Sequence, residues 1–179
     1  MNDKKAKTRE RILQAASCAL IQHGPVEPSV SDVMGAAGLT VGGFYAHFES
    51  KDALMLEAFN KLLSQRRALL AEVDPAMSGH ERRALVAAFY LSRKHRDATE
   101  SACPLPTSLG EMANLPEAFR QALADHVELM MAQLSSSPEE ADKVLADLAL
   151  MVGGLALARA LGTDQLSDRI LRAAKSAVI

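Results

Sequence analysis

Tryptophan is absent from this chain of 179 residues, and aromatics are limited to two tyrosines and five phenylalanines. With so few aromatics and a bias to Ala, Leu and Met, the composition favours helix over sheet. The two cysteines, Cys18 and Cys103, stand far apart and form no CxxC pair. That spacing argues against a disulfide framework and points to a reducing compartment. No charged-then-apolar leader opens the chain, so a cytoplasmic location is expected. The longest apolar run, from Leu148 to Ala158, has eleven residues. A bilayer span needs about twenty, so no membrane partner is expected. The P-loop, GxSxG, HExxH and dinucleotide signatures are all missing, which leaves an all-helical enzyme with little support. His23, His47, His80, His95 and His126 show no metal-ligand spacing. Neither a metal nor a cofactor is expected.

Hydrophobic residues make up 49% of the chain and the formal net charge is −2. A chain of this size buries a sizeable core, as one compact body or two small ones. The balance of charge announces no nucleic acid, but its placement is uneven: Lys4, Lys5, Lys7, Arg9 and Arg11 crowd the N-terminus. Such a patch neutralises only the phosphates it touches, so an acidic protein can still dock on DNA. A solvated tail is the other reading of Lys4 and Lys5.

The stretch from Ser29 to Lys51 organises the rest. Val30, Val33, Met34 and Ala37 fall on one face of a short helix. Ser29 and Asp32 are placed to cap it, and Gly38 stands where a chain leaving a helix needs a positive φ. Thr40 then reads as a second N-cap, with Val41, Phe44, Tyr45 and Phe48 repeating the helical spacing. Two short helices about a Gly-containing turn describe a helix-turn-helix, whose second helix enters the DNA major groove. Gly42, Gly43 and Ala46 lie off its apolar stripe, so the backbone there is free to approach DNA closely. Thr40, Tyr45 and His47 are the polar groups for phosphate oxygens. Ser31 is a further candidate reader, and Lys51 opens the next helix at a natural phosphate site. An ordinary packed helical pair with a tight corner is the competing reading.

Gly24 to Leu54 resembles the DNA-binding signature of TetR-family transcriptional regulators. The resemblance rests on Gly24, Ser29, Val30, Asp32, Val33, Ala37-Gly38-Leu39-Thr40, Gly42, Phe44-Tyr45, His47-Phe48, Ser50-Lys51 and Leu54. Thr8-Arg9, Ile12, Leu13, Ala15 and Ala16 resemble the family's first helix. Val41 and Gly43 depart from the lysine and the small polar or alanine residue often found there. Base contacts by those side chains therefore do not carry over.

The whole chain reads as all-α, with about nine helices. A DNA-binding domain is expected over residues 1–50, and an effector-binding and dimerisation domain over 51–179. The first helix is expected from Lys5 to His23, and a connector helix from Lys51 to about Val73. Ser78 to Glu81 has capping-box spacing ahead of a helix to Leu91. Arg93 to Asp97 reads as an exposed charged break, and Cys103 to Met112 as a turn with a short helix. Asn114 is expected to cap the next helix, and Ser137-Pro138-Glu139-Glu140 the one after, which runs to Leu161 and stops at Gly162. Leu166 and Leu171 suggest a hydrophobic staple about Ser167.

Leu145 to Leu161 is apolar nearly all round, and Gly153-Gly154 would admit a second helix closely. Burial against a second copy is expected through the last two helices, about residues 138–179, although packing within one chain is the alternative. The resemblance implies the same homodimer, a four-helix bundle, a pseudo-palindromic operator, and a small-molecule effector in the middle helices. Candidate effector-lining residues are Phe89, Tyr90, Cys103, Leu105, Met112, Phe119, His126, Met130 and Met131. Apolar walls with a few polar groups suit a ligand pocket, and core packing is the plainer role of each. The expected function is a dimeric repressor that an effector releases from DNA. A helical adaptor that binds only protein is the alternative.

Overall fold

The computed structural model describes residues 2–74, 76–100 and 102–179, with backbone only at Asn2. Nine α-helices and three short 3₁₀ segments make up its regular structure, and no strand occurs among the described residues. The helices are α1 (Asn2–His23), α2 (Val30–Ala36), α3 (Lys51–Ala71), α4 (Gly79–Tyr90), α5 (Arg93–Arg96), α6 (Leu105–Ser108), α7 (Glu117–Leu134), α8 (Ala141–Ala160) and α9 (Gln165–Val178). The 3₁₀ segments are Val41–Ala46, Leu109–Asn114 and Pro138–Glu140. Two compact units emerge. The first comprises residues up to Ser64 together with Thr99–Ala122, and the second comprises Gln65–Ala98 and Leu123–Ile179.

In the first unit α1 supplies Ile12, Ala16 and Leu20 to a core that includes Val33, Met34, Phe44 and Phe59. Helix α1 ends because Gly24 takes φ +78° and its N–H still reaches Leu20 O. A Cβ at Gly24 would lie 2.6 Å from Glu111 Oε2, so the glycine also admits the 3₁₀ segment. Glu111 accepts from the Val26 N–H, and Thr107 Oγ1 donates to Leu20 O. These bonds tie residues 107–111 to the end of α1.

The second unit holds two apolar clusters. Ala87, Leu91, Met151, Leu155, Leu171, Ala174 and Val178 join α4, α8 and α9. Leu70, Met130, Leu134 and Val144 join the end of α3 to α7 and α8. Ser78 and Glu81 form the expected capping box at α4.

Four expectations need correction. Arg93 to Arg96 is a helical turn, and His95 and Arg96 are buried in it. Long-range partners explain the burial: Arg96 pairs with Asp97 and Asp168 and donates to Ser167 Oγ. Asn114 closes a 3₁₀ segment and does not cap α7. Asp164, accepting from the Ser167 N–H, caps α9, so Ser167 is helical, fully buried, and donates to Ala158 O. No staple forms about it, and Leu166 stays exposed. The adjacent glycines of α8 also differ. Gly153 faces open space, whereas a Cβ at Gly154 would stand 2.9 Å from Ala174 Cβ and 3.3 Å from Leu91 Cδ2. Gly154 therefore serves the packing of α8 on α9 and α4 within the chain.

His95 and His126 are both buried in this unit. Burial, opposed by the hydrogen bond to Tyr90 O and aided by Arg66 and Arg159, pushes His95 down to about 4. Burial and then Arg67 push His126 down to about 4. Both are neutral when folded, while the unfolded chain takes up protons from about pH 6.5. Stability should therefore fall as pH drops from about 6.5 toward 4, by roughly 1.4 kcal/mol per pH unit per histidine. Urea titrations across that range test it. His126→Gln should flatten the acid limb, and an unchanged limb would assign the acid sensitivity elsewhere.

Candidate nucleic-acid interface

Local chemistry builds the α2 corner. Ser29 Oγ accepts from the Asp32 N–H, and Asp32 Oδ2 accepts from the Ser29 N–H at 2.9 Å, a complete capping box. These Ser29 hydrogen bonds hold the Asp32 carboxyl below the usual range. At the other end Gly38 takes φ +65°, its N–H reaches Gly35 O, and the Leu39 N–H reaches Met34 O, each at 2.9 Å. That pair of bonds is a Schellman closure, which only a residue tolerant of left-handed backbone completes cheaply. Arg11 reinforces it by donating to Ala37 O at 2.6 Å.

The segment that follows, expected to read DNA, is a single 3₁₀ run, Val41–Ala46, and not an α-helix. Its two glycines disfavour a longer helix, and 3₁₀ geometry is used in such short pieces. Thr40 makes no side-chain cap, so its exposed hydroxyl is not engaged in the turn. Phe44 is fully buried and stacks on Phe48, with ring centroids 5.9 Å apart. Val41 and Tyr45, expected on the same apolar stripe, instead lie 44% and 72% exposed. The ridge presented to solvent is Thr40, Val41, Gly42, Gly43 and Tyr45, with Ser31 exposed on α2. A Cβ on Gly42 would meet nothing, and one on Gly43 only Met34 Cε at 3.9 Å. His47 is half-buried, and its Nδ1 is enclosed with no hydrogen-bond partner among the described residues. Lys51 Nζ donates to Val26 O, holding the start of α3 against the loop before α2.

The N-terminal basic patch is less free than its sequence implies. Arg9 makes a two-pronged ion pair with Glu57, both contacts 2.5 Å, and its guanidinium lies 4.4 Å from the Phe48 ring centroid. It therefore clamps α1 to α3 across the Phe48 ring. Lys7 pairs with Asp3. Lys4 and Lys5 remain exposed. Between α1 and α2 runs an open groove of about 740 Å³, lined by Gln14, Cys18, Gln22, Asp32 and Val33 among others. Sequence spacing carried no signal for it, since it arises only from the angle between two helices.

Two family models match this architecture. Residues 12–58 match the description "Bacterial regulatory proteins, tetR family", and residues 79–174 match "Tetracyclin repressor-like, C-terminal domain". The chain belongs to the TetR family. Its family is one of bacterial regulatory proteins. It is 25% identical over 166 residues to the HTH-type transcriptional regulator YerO of Bacillus subtilis, covering 87% of this chain and 54% of that one. It is 35% identical over 63 residues to the probable acrEF/envCD operon repressor of Escherichia coli K12, covering 35% of this chain and 27% of that one. The chain thus spans about half, or less, of the length of these curated relatives. In fold it is similar to E. coli NemR in its reduced form, with TM-score 0.80 and 21% identity over 96% of this chain and 95% of that one. A TetR-family regulator from Agrobacterium tumefaciens gives 0.79 and 20% over 97% and 98%.

The candidate effector residues separate between the two units. Cys103, Leu105, Met112 and Phe119 belong to the first, where all are buried and Phe119 packs on Phe59 at 5.7 Å. Phe89, Tyr90, His126, Met130 and Met131 belong to the second. There Phe89 is 49% exposed and stacks on His95, and His126 Nδ1 accepts from Arg67 at 2.9 Å. Arg66 stands near the Phe89 ring and Arg67 on His126, and spacing along the connector helix did not single out either arginine. No group of three metal-binding side chains and no helix able to cross a membrane occurs among the described residues.

Proposed function

We propose that this regulator is a cytoplasmic, non-enzymatic repressor that binds a pseudo-palindromic operator as a homodimer and leaves it when a small molecule binds. Residues 1–50 would be its DNA-binding domain and 51–179 its effector and dimerisation domain. The observation that carries the reading is the exposed Thr40–Gly43 and Tyr45 ridge. It is seated on buried Phe44 and Phe48 and follows a Schellman-closed α2. In this reading Ser31 and Thr40 are the side chains able to read base edges. Tyr45 and Lys51 hold phosphates, and Gly42 and Gly43 let the backbone approach. His47, half-enclosed, reaches phosphate only through its other ring nitrogen. A twofold dimer sets two such segments in successive major grooves about 34 Å apart.

The dimer surface proposed is the outward stripe of α8, where Ala146, Leu150, Gly153, Leu157 and Leu161 are exposed at helical spacing. Leu166, Ala173 and Ala177 of α9 are exposed as well. An apolar stripe of this length calls for a partner, and symmetry supplies one. Helix α3 is continuous from Lys51, beside the recognition segment, to Ala71. An effector that prefers one position of its C-terminal end therefore alters operator affinity, with a coupling of typically 1–3 kcal/mol.

A gel shift with the DNA upstream of the chain's own coding region tests the reading. A competitor-resistant band is expected, and none at low salt would favour the protein-binding adaptor. Lys51→Ala and Tyr45→Phe should weaken all DNA sequences by a similar factor. Lys51→Ala should also lower the slope of log affinity against log salt by about one. Altered sequence preference with an unchanged slope would make Lys51 a base reader. Gly43→Ser fits the protein, given the 3.9 Å clearance to Met34. Its operator affinity should nevertheless fall about tenfold if backbone approaches DNA closely. Equal or better binding would make Gly43 an unoccupied reading position.

A further inference from the structure

Three helices of the second unit carry one apolar level and, one turn along each, a level of different chemistry. Leu70 of α3, Val86 of α4, and Met130 and Leu134 of α7 pack together. One turn away stand Arg66 and Arg67 on α3, Phe89 on α4 and His126 on α7, since residues three or four apart share a helix face. Arg67 donates to His126 Nδ1 at 2.9 Å. That nitrogen accepts only if its proton sits on Nε2, so the ring is neutral and does not offset the Arg67 charge. Arg66 lies 6.0 Å from the Phe89 ring centroid, and its Nε is enclosed without a hydrogen-bond partner. Gln133 Oε1, two turns beyond His126 on α7, is likewise enclosed and unpartnered. The ion pairs of this unit use Arg83, Arg93, Arg96 and Lys143. Among the described residues neither Arg66 nor Arg67 has a carboxylate within pairing distance.

Two adjacent half-buried guanidiniums with no counter-charge are costly, and a guanidinium fork matches a carboxylate or phosphate. We propose that Arg66 and Arg67 form the anion-binding end of the effector site, and that the effector is a small organic anion with an apolar or aromatic body. Its charged group lies between the two forks and its body against Phe89 and Met130. This rests on the effector-controlled reading above and narrows its ligand class. It also places ligand charge on the connector helix itself.

The test uses the full chain at fixed ionic strength. Benzoate, octanoate and phenyl phosphate are titrated against benzamide and octanamide, with inorganic phosphate as the bare anion, by calorimetry and by melting temperature. One or more of the organic anions should bind and raise the melting temperature. The matching amide and inorganic phosphate should bind at least about tenfold more weakly. Arg66→Gln and Arg67→Gln should each lose about tenfold for the anion. Arg66→Lys, which keeps charge without the fork, should lose less, and Phe89→Leu should weaken the aromatic anions selectively. Amides binding as well as anions, inorganic phosphate binding as well as either, or no arginine-dependent binding anywhere in the series would each overturn the proposal. Operator release is read separately on the same samples. Release by amides alone would overturn the anion class while effector control stands. Arginine-dependent anion binding with no effect on operator affinity would instead sink effector control.

Discussion

Gly154→Glu should unfold the second unit, whereas Gly153→Glu, one residue earlier on α8, should leave the chain folded and separate the proposed dimer. The difference lies in what each position meets. At Gly154 the new Cβ would stand 2.9 Å from Ala174 Cβ, a contact of backbone-borne atoms that neither helix can relieve by a rotamer change. The carboxylate would then enter the cluster of Leu91, Met151, Leu155 and Leu171, which contains no cation. Overpacking costs about 1–3 kcal/mol and an uncompensated buried charge several more. Together these are comparable with the whole stability of a small domain. At Gly153 a side chain meets nothing within 4 Å, and replacing a mid-helix glycine gains a few tenths of a kcal/mol in helix propensity. The charge harms only a surface that something else covers. Thermal melting followed by circular dichroism and sedimentation separate the two cases. A native-like melt for Gly154→Glu would mean that α8 and α9 do not hold their seam. A wild-type dimer for Gly153→Glu would move the interface off the outward stripe of α8.

That pair also marks where sequence reasoning stops. The two glycines look alike in a string, and only the angle at which α8 crosses α9 decides which one is the contact. Features written in neighbouring residues were legible: the Ser29–Asp32 and Ser78–Glu81 capping boxes, the positive-φ stops at Gly24, Gly38 and Gly162, and the all-α class. Features decided by distant partners were not. Arg93 to Asp97 looked solvated because its charges had no visible counterparts, yet Asp168 lies more than seventy residues away and draws Arg93 and Arg96 together. Arg9 and Arg11 read as members of a phosphate-binding patch, and the sequence did not show that one grips Glu57 and the other the end of α2. The candidate interface shows the same division. Spacing named its candidate residues, but helical periodicity put Tyr45 on the buried stripe because it assumed 3.6 residues per turn. Val41, on the Phe44 face at either period, is exposed at the first position of the segment. The 3₁₀ run turns every three, which leaves Phe44 inside and sets its neighbour Tyr45 outside.

Phe44→Ala should abolish specific operator binding while Tyr45→Phe only weakens it. A six-residue 3₁₀ segment with two glycines has no stability of its own, since short helices nucleate unfavourably and borrow their order from packing. Here that packing is one ring. Phe44 is fully buried, meets the Tyr45 ring edge-on at 5.1 Å and stacks on Phe48, over which Arg9 lies. Removing it leaves a cavity costing about 3–5 kcal/mol, in the range measured for buried phenylalanines cut to alanine. The loss falls first on the 41–48 segment, because the ring joins Tyr45 and Phe48 within it. The ridge from Thr40 to Tyr45 would then sample many shapes, and ordering it on DNA would cost the affinity that preorganisation now saves. Tyr45→Phe keeps the edge-on ring contact and removes one exposed hydroxyl, so a loss of only about 0.5–1.5 kcal/mol is expected for one phosphate hydrogen bond. Gel shifts at two salt concentrations, with hydrogen exchange over residues 40–50, distinguish the cases. Phe44→Ala should raise exchange across that stretch and leave only salt-sensitive, non-specific binding. Retained operator affinity alongside raised exchange would show that the segment orders itself on DNA and that its packing is not what prepares it.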